Sequence, residues 1–172
     1  MRRSALPGLA LIFVIALTAC NPFAPGLDDS PTGPGTLLGD RTTLEGVFQN
    51  VAYAYTFRDT TIFGQVLHSE FQFTFRDYDI GADITWNRDE EMRITHALFQ
   101  NVQQLELVWN NVLSQSIDSA AVFATVSRNF NLTVTFNPSD IDRADGYVTM
   151  TMVRTDPSDP WQIIRWRDES NF

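Results

Sequence analysis

Lysine is missing from the 172 residues: all twelve basic residues are arginines, set against twenty-one Asp and Glu, for a formal charge of −9. Without lysine there is no amine nucleophile, no Schiff base and no lysine-bearing phosphate loop. The acid excess argues against a nucleic-acid partner, which needs a basic footprint. Cysteine is nearly absent too. A single thiol, Cys20, excludes an internal disulfide and any multi-cysteine metal site. The only two histidines, His68 and His96, share no metal-ligand spacing, so neither a metal nor another cofactor is expected. What is present is apolar: 44% hydrophobic and 12% aromatic residues are enough to bury a core.

The amino-terminal residues read as an address. Arg2 and Arg3 precede an apolar stretch from Leu6 to Leu17, and Leu17-Thr18-Ala19-Cys20 then puts small residues before the lone thiol. That order is the layout of a secretory signal, and the stretch is short for a bilayer span. The tetrad resembles the bacterial lipobox, which implies diacylglyceryl transfer to the Cys20 thiol and cleavage before it. Residues 1–19 are thus expected to be a signal peptide, and Cys20 a lipid anchor in the bacterial cell envelope. Asn21 at the next position favours the outer membrane by its resemblance to enterobacterial sorting rules. Four prolines and four glycines crowd residues 21–40. Residues 20–40 therefore read as a lipidated tether, with a reach of about 65 Å when extended.

Residues 41–172 read as one α+β domain. Thr42 and Glu45 match a capping box, and Leu44, Val47, Phe48, Val51, Ala52 and Tyr55 recur at helical spacing. Ile62, Phe63, Val66 and Leu67 suggest a short second helix. Phe71 to Phe75 alternates as a strand, and 76–83 reads as a polar loop. Asn87 with Glu90 predicts a third helix reaching about Asn101. From Ala120 to Phe136 every even position except Arg128 is apolar, a strand long enough to require curvature and a bulge. Further strands are predicted around Leu105–Trp109, over 146–154 and over 161–167. Helices followed by an antiparallel meander make an α+β pattern.

The long first helix running into Arg58-Asp59, the aromatic strand, the Trp86-led third helix and the ending W-x-I-x-x-W-x-D (Trp161, Ile163, Trp166, Asp168) resemble the nuclear transport factor 2-like superfamily. The resemblance implies a cone: a strongly curved antiparallel sheet wrapped around helices, with a pocket at its wide end. It further implies association through the sheet face, as in a homodimer. Ketosteroid isomerases belong to this superfamily. Counting from Asp59, their base position falls near Phe75 and their tyrosine near Val51; Asp77 and Tyr55 lie close to those positions without occupying them. At least one of Trp161 and Trp166 is expected to pack against the first helix.

Candidate site residues follow from the same patterns. His96 lies between Met92 and Phe99 at helical spacing and is a candidate pocket acid or base, with Tyr55 and Asp77 beside it. Tyr55, Phe73, Phe75, His96, Phe99, Trp109 and Arg128 are the candidate pocket lining. Arg128 either points inward, needing an anionic partner, or is turned outward by a bulge at 127–129, which is the favoured reading. Acid groups at Asp77, Asp79 and Asp83 and at Asp140, Asp142 and Asp145 resemble calcium loops but lack the EF-hand order, and read as solvated turns. The leading functional reading is a membrane-tethered, non-catalytic domain that binds a small apolar ligand or a partner protein. The alternatives are a cyclase- or isomerase-type enzyme using His96, and a structural envelope component.

Overall fold

Thr43 opens the first helix, α1 (Leu44–Phe57), its hydroxyl accepting from the Gly46 N–H at 3.0 Å. The predicted Thr42–Glu45 box is not made: the Thr42 hydroxyl donates to Asp40, and Glu45 reaches across to Arg128. Gly46 is where the incoming chain crosses the helix. A Cβ there would lie 1.9 Å from the Asp40 carbonyl oxygen, so only glycine permits this approach. Asn50, one turn on, is buried and holds the Gly39 backbone by two hydrogen bonds of 2.9 Å. In this computed structural model residues 37–170 are described; the predicted signal, Cys20 and most of the tether lie outside them.

Arg58 ends α1 in the left-handed conformation, and the Asp59 carboxylate caps α2 (Thr60–Val66). The chain then forms β1 (Leu67–Asp77), β2 (Ala82–Asn87), α3 (Arg88–Asn101), β3 (Gln104–Ile117), β4 (Phe123–Asn137), β5 (Asp140–Val153) and β6 (Gln162–Ser170). The six strands make one curved, open sheet in the order β2-β1-β6-β5-β4-β3. Every pairing is antiparallel except β1 with β6, which is parallel. The sheet is thus antiparallel as expected, with this one parallel pairing added. The carboxy-terminal strand slots between β1 and β5, joining the amino-terminal hairpin to the meander.

Alternation decides which face is buried. The even positions of β4 and β5, including Ala124, Val126, Phe130, Val148, Met150 and Met152, face the helices and pack with Val47, Phe48, Val51, Ala54, Phe63 and Val66. Trp161 is 2% exposed and belongs to this same core as α1. A smaller cluster of Phe99, Val102, Leu105 and Val134 closes the α3 side.

Three segments depart from their sequence reading. The polar loop at 76–83 is mostly a hairpin: β2 pairs with β1, and Asp77 accepts from Asp79 and Ile80 N–H to cap the turn. Residues 140–145 are strand rather than turn, paired to β4. Finally, the bulge expected at 127–129 lies opposite, in β3 between Trp109 and Ser114, while the irregularity of β4 itself falls near its end, between Thr135 and Asn137.

Candidate functional site

The I-x-x-W spacing of the last strand builds the site. Ile163 and Trp166 are both buried although three residues apart, which strict alternation forbids. A register shift in β6 against β5 supplies the extra residue. Alternation then resumes, so Asp168 follows Trp166 on the inner face, beside Phe75 of β1 and Val148 of β5. From the opposite side, α3 presents Glu91, Ile94, Thr95 and Leu98, one helical face at i, i+3, i+4 and i+7.

Between them lies a cavity of about 260 Å³. Its walls are mainly apolar: Phe73, Trp86, Trp109, Phe130 and Trp166 supply rings, and Leu107, Leu132 and Val148 the aliphatic surface. Phe73 stacks on Trp86 at 4.7 Å between centroids, and Trp109 meets Phe130 and Trp166 at 6.1 and 6.3 Å. Into this lining come three polar groups able to exchange a proton, Tyr55, Glu91 and Asp168.

Glu91 is 4% exposed. One oxygen accepts from the Trp86 indole N–H at 2.6 Å, the other from the Thr95 hydroxyl at 3.0 Å. Burial raises its pKa, the nearby Asp168 raises it further, and the two hydrogen bonds oppose the rise. Asp168 is also raised, first by burial, with the Ser170 contacts acting against it. Tyr55 is driven strongly upward by burial and then by both acids, so the phenol keeps its proton. Its hydroxyl has no hydrogen-bond partner among the described residues. The Trp166 indole N–H, in the wall, is buried and likewise unpartnered. Two acids and a phenol in a water-poor, ring-lined space are the arrangement expected of a ligand site rather than of a core.

Of the residues singled out from sequence, Tyr55, Phe73 and Trp109 line this cavity. The others do not. His96 is exposed on α3, one residue past buried Thr95 and so about 100° around the helix from it, which removes its acid–base role. Phe99 packs behind Tyr55 at 5.5 Å, Phe75 lies beyond Trp86, and Asp77 is committed to the hairpin turn. Val51 is fully buried core, so the isomerase constellation is not reproduced. Arg128 faces inward, contrary to the favoured bulge, but at another depression, where it pairs with Glu45 at 2.6 Å, donates to the Asn110 carbonyl and lies over the Phe48 ring.

Sequence reasoning missed Glu91 and Asp168. Glu91 stands in the first turn of α3, where an acid has an ordinary explanation in the helix dipole, and Asp168 read as a marker within the ending motif. The signal available was that Glu91 shares a helical face with Ile94, Thr95 and Leu98. Among the described residues no group of three His, Cys, Asp or Glu is placed to hold a metal ion.

Solved structures resemble the domain at low identity. One is a protein from Kribbella flavida: 16% identity over 77% of this chain and 91% of that one, TM-score 0.63. Another is a candidate scytalone dehydratase from Novosphingobium aromaticivorans: 11%, 74% and 81%, TM-score 0.59. A third is a candidate dehydratase from the NTF2-like family of Streptomyces avermitilis: 13%, 70% and 88%, TM-score 0.57. The fold is that of the nuclear transport factor 2-like superfamily. No family model and no curated protein sequence matches the chain. The cavity occupies the space between α3 and the concave sheet face.

Proposed function

We propose that this domain binds a small, mostly apolar molecule in the cavity between α3 and the sheet, and does so at a membrane surface, tethered through lipidated Cys20. The observation that carries the binding reading is the convergence of Tyr55, Glu91 and Asp168 on an otherwise apolar space of about 260 Å³. A core has no use for such groups, because burying an acid without a countercharge costs several kcal/mol. The volume suits a one- or two-ring molecule, just below the usual ~300–1,000 Å³ of ligand pockets. The tether reading rests on the Leu17-Thr18-Ala19-Cys20 order alone.

Calorimetric titration with 2-naphthol and 2-phenylethanol tests the binding. Saturable one-to-one binding is expected, lost in Leu98→Trp, which fills the cavity from α3. If no one- or two-ring probe binds, whatever its charge, the reading fails. For the anchor, Cys20→Ser is expected to release the protein from membranes or leave it unprocessed. Equal labelling of mutant and wild type by a palmitate analogue overturns that part.

A second reading, acid–base turnover of the bound molecule, is favoured by one observation: two carboxyls with raised pKa face one cavity with a protonated phenol. Two of the similar structures are described as candidate dehydratases, a reaction that needs an acid and a base. In that case Glu91 and Asp168, and not His96, are the proton-transfer groups. Turnover abolished by Asp168→Asn with binding retained separates this reading from simple binding.

A further inference from the structure

We propose that the molecule this cavity takes is an organic cation: a small amine or quaternary ammonium on an apolar, ring-sized body. The inference rests on the cavity reading above and names its ligand class.

The wall holds two carboxyl groups and no cationic side chain. The arginines nearest to them in sequence are engaged elsewhere, Arg93 with Glu90 and Arg167 with Asp83 and Glu169. Glu91 is nevertheless held as an acceptor on both sides. The Trp86 indole is a donor only, and it is aimed at one carboxylate oxygen while the Thr95 hydroxyl donates to the other. Two donors on two oxygens are what an ionised carboxylate asks for. A protonated one would have to donate to the Thr95 hydroxyl, because the indole can only donate. The protein thus builds a seat for negative charge in a place that supplies no positive charge.

The remaining walls are suited to the missing partner. Six rings, from Tyr55, Phe73, Trp86, Trp109, Phe130 and Trp166, surround the space. A cation is drawn to the negative face of such rings, most of all tryptophan, and the attraction grows when water is excluded. The molecule already uses this pairing in its own core: the Arg128 guanidinium lies 5.1 Å from the Phe48 centroid and that of Arg154 lies 4.1 Å from Trp161. In the cavity the rings are present and the cation is not. A ligand ammonium between Glu91 and Asp168 supplies it, stabilising the charged form of both acids and leaving its apolar body against Leu107, Leu132 and Val148. An anionic ligand meets only repulsion there.

Three probes of matched size test this on the folded chain: 2-phenylethylammonium, 2-phenylethanol and phenylacetate, titrated calorimetrically at neutral pH. The ammonium is expected to bind at least tenfold more tightly than the alcohol, and phenylacetate more weakly than both. Glu91→Gln, or separately Asp168→Asn, is expected to narrow the ratio of ammonium to alcohol affinity toward one, that ratio being read within each variant. Either variant suffices if the other fails to fold. Should the alcohol bind as tightly as the ammonium, the cation inference is overturned and the cavity reading stands. Should none of the three bind, both fall.

Discussion

The two ends of the concave face solve the same problem in opposite ways. Near the start of α1, Arg128 and Arg154 are drawn into the fold, and each is given what a buried guanidinium needs. Arg128 has Glu45, the Asn110 carbonyl and the Phe48 ring, while Arg154 has the Ala121 and Thr42 carbonyls and the Trp161 ring. Beside α3, Glu91 and Asp168 are drawn in with no countercharge; burial raises the pKa of both, and Asp168 raises that of Glu91 further. A charge whose partners are all supplied is structural; one left short is held for something that arrives later. On the proposed reading, the arginine end serves stability and the acid end serves binding.

The largest test of that division is Trp161→Ala. Its indole is almost wholly buried under Arg154, so truncation is expected to cost ~3–5 kcal/mol. The urea midpoint should collapse. An unchanged midpoint would mean the arginine end does not hold the fold. Arg128→Met keeps an apolar stem but deletes the hydrogen bonds to Glu45 and Asn110, with an expected loss of ~2 kcal/mol. Binding of 2-phenylethanol should be untouched at temperatures where that variant is folded. Altered binding would show that the two ends are coupled.

Sequence patterns carried the fold further than the site, for physical reasons. The periods of α1 and α3 are set by burial of one face, and burial is what periodicity reports. β2 was hidden because only Ile84 and Trp86 alternate in it. Its pairing is held as much by polar cross-strand contacts, Thr74 with Thr85 and Arg76 with Asp83. The acid pair was hidden for a deeper reason. A carboxylate at the start of a helix has an ordinary explanation in the helix dipole, and only the tertiary arrangement shows that Glu91 points away from water. Arg128 shows the converse: alternation placed it inward, and only the position of the bulge beside it, on β3 and not at 127–129 of β4, settles that it stays there.

The acid end should respond to substitution with the opposite sign. Raised carboxyl pKa values mean that the folded state holds protons the unfolded chain has already released. Stability therefore falls as pH rises from the ordinary carboxyl range, near 4.5 for Glu91, toward the raised folded value. Below that window both states are protonated and no penalty remains. Glu91→Gln and Asp168→Asn are accordingly expected to raise the urea midpoint at pH 7, with the gain shrinking to nothing by about pH 4. The groups facing Glu91 across the cavity, Asp168 and Tyr55, add no compensating positive charge. A midpoint that drops at pH 7 in both variants would mean that the acids, too, are structural.

His96→Ala should change least of all, and its silence is informative. The residue sits between Met92 and Phe99 at the spacing of an apolar stripe, so the sequence offers it as the natural acid or base of the site. In the fold the buried arc of α3 is centred on Glu91, Thr95 and Phe99, and His96 falls off its edge into solvent. It makes no hydrogen bond or ion pair among the described residues. Substitution at such a position away from any core or charge network is expected to shift stability by no more than ~0.5 kcal/mol. Affinity for 2-phenylethylammonium should be the same in the variant as in the wild type, because the side chain is not part of the cavity wall. A His96→Ala variant with a changed affinity would put the histidine at the mouth of the site. The acids would then no longer account for the cavity's charge alone.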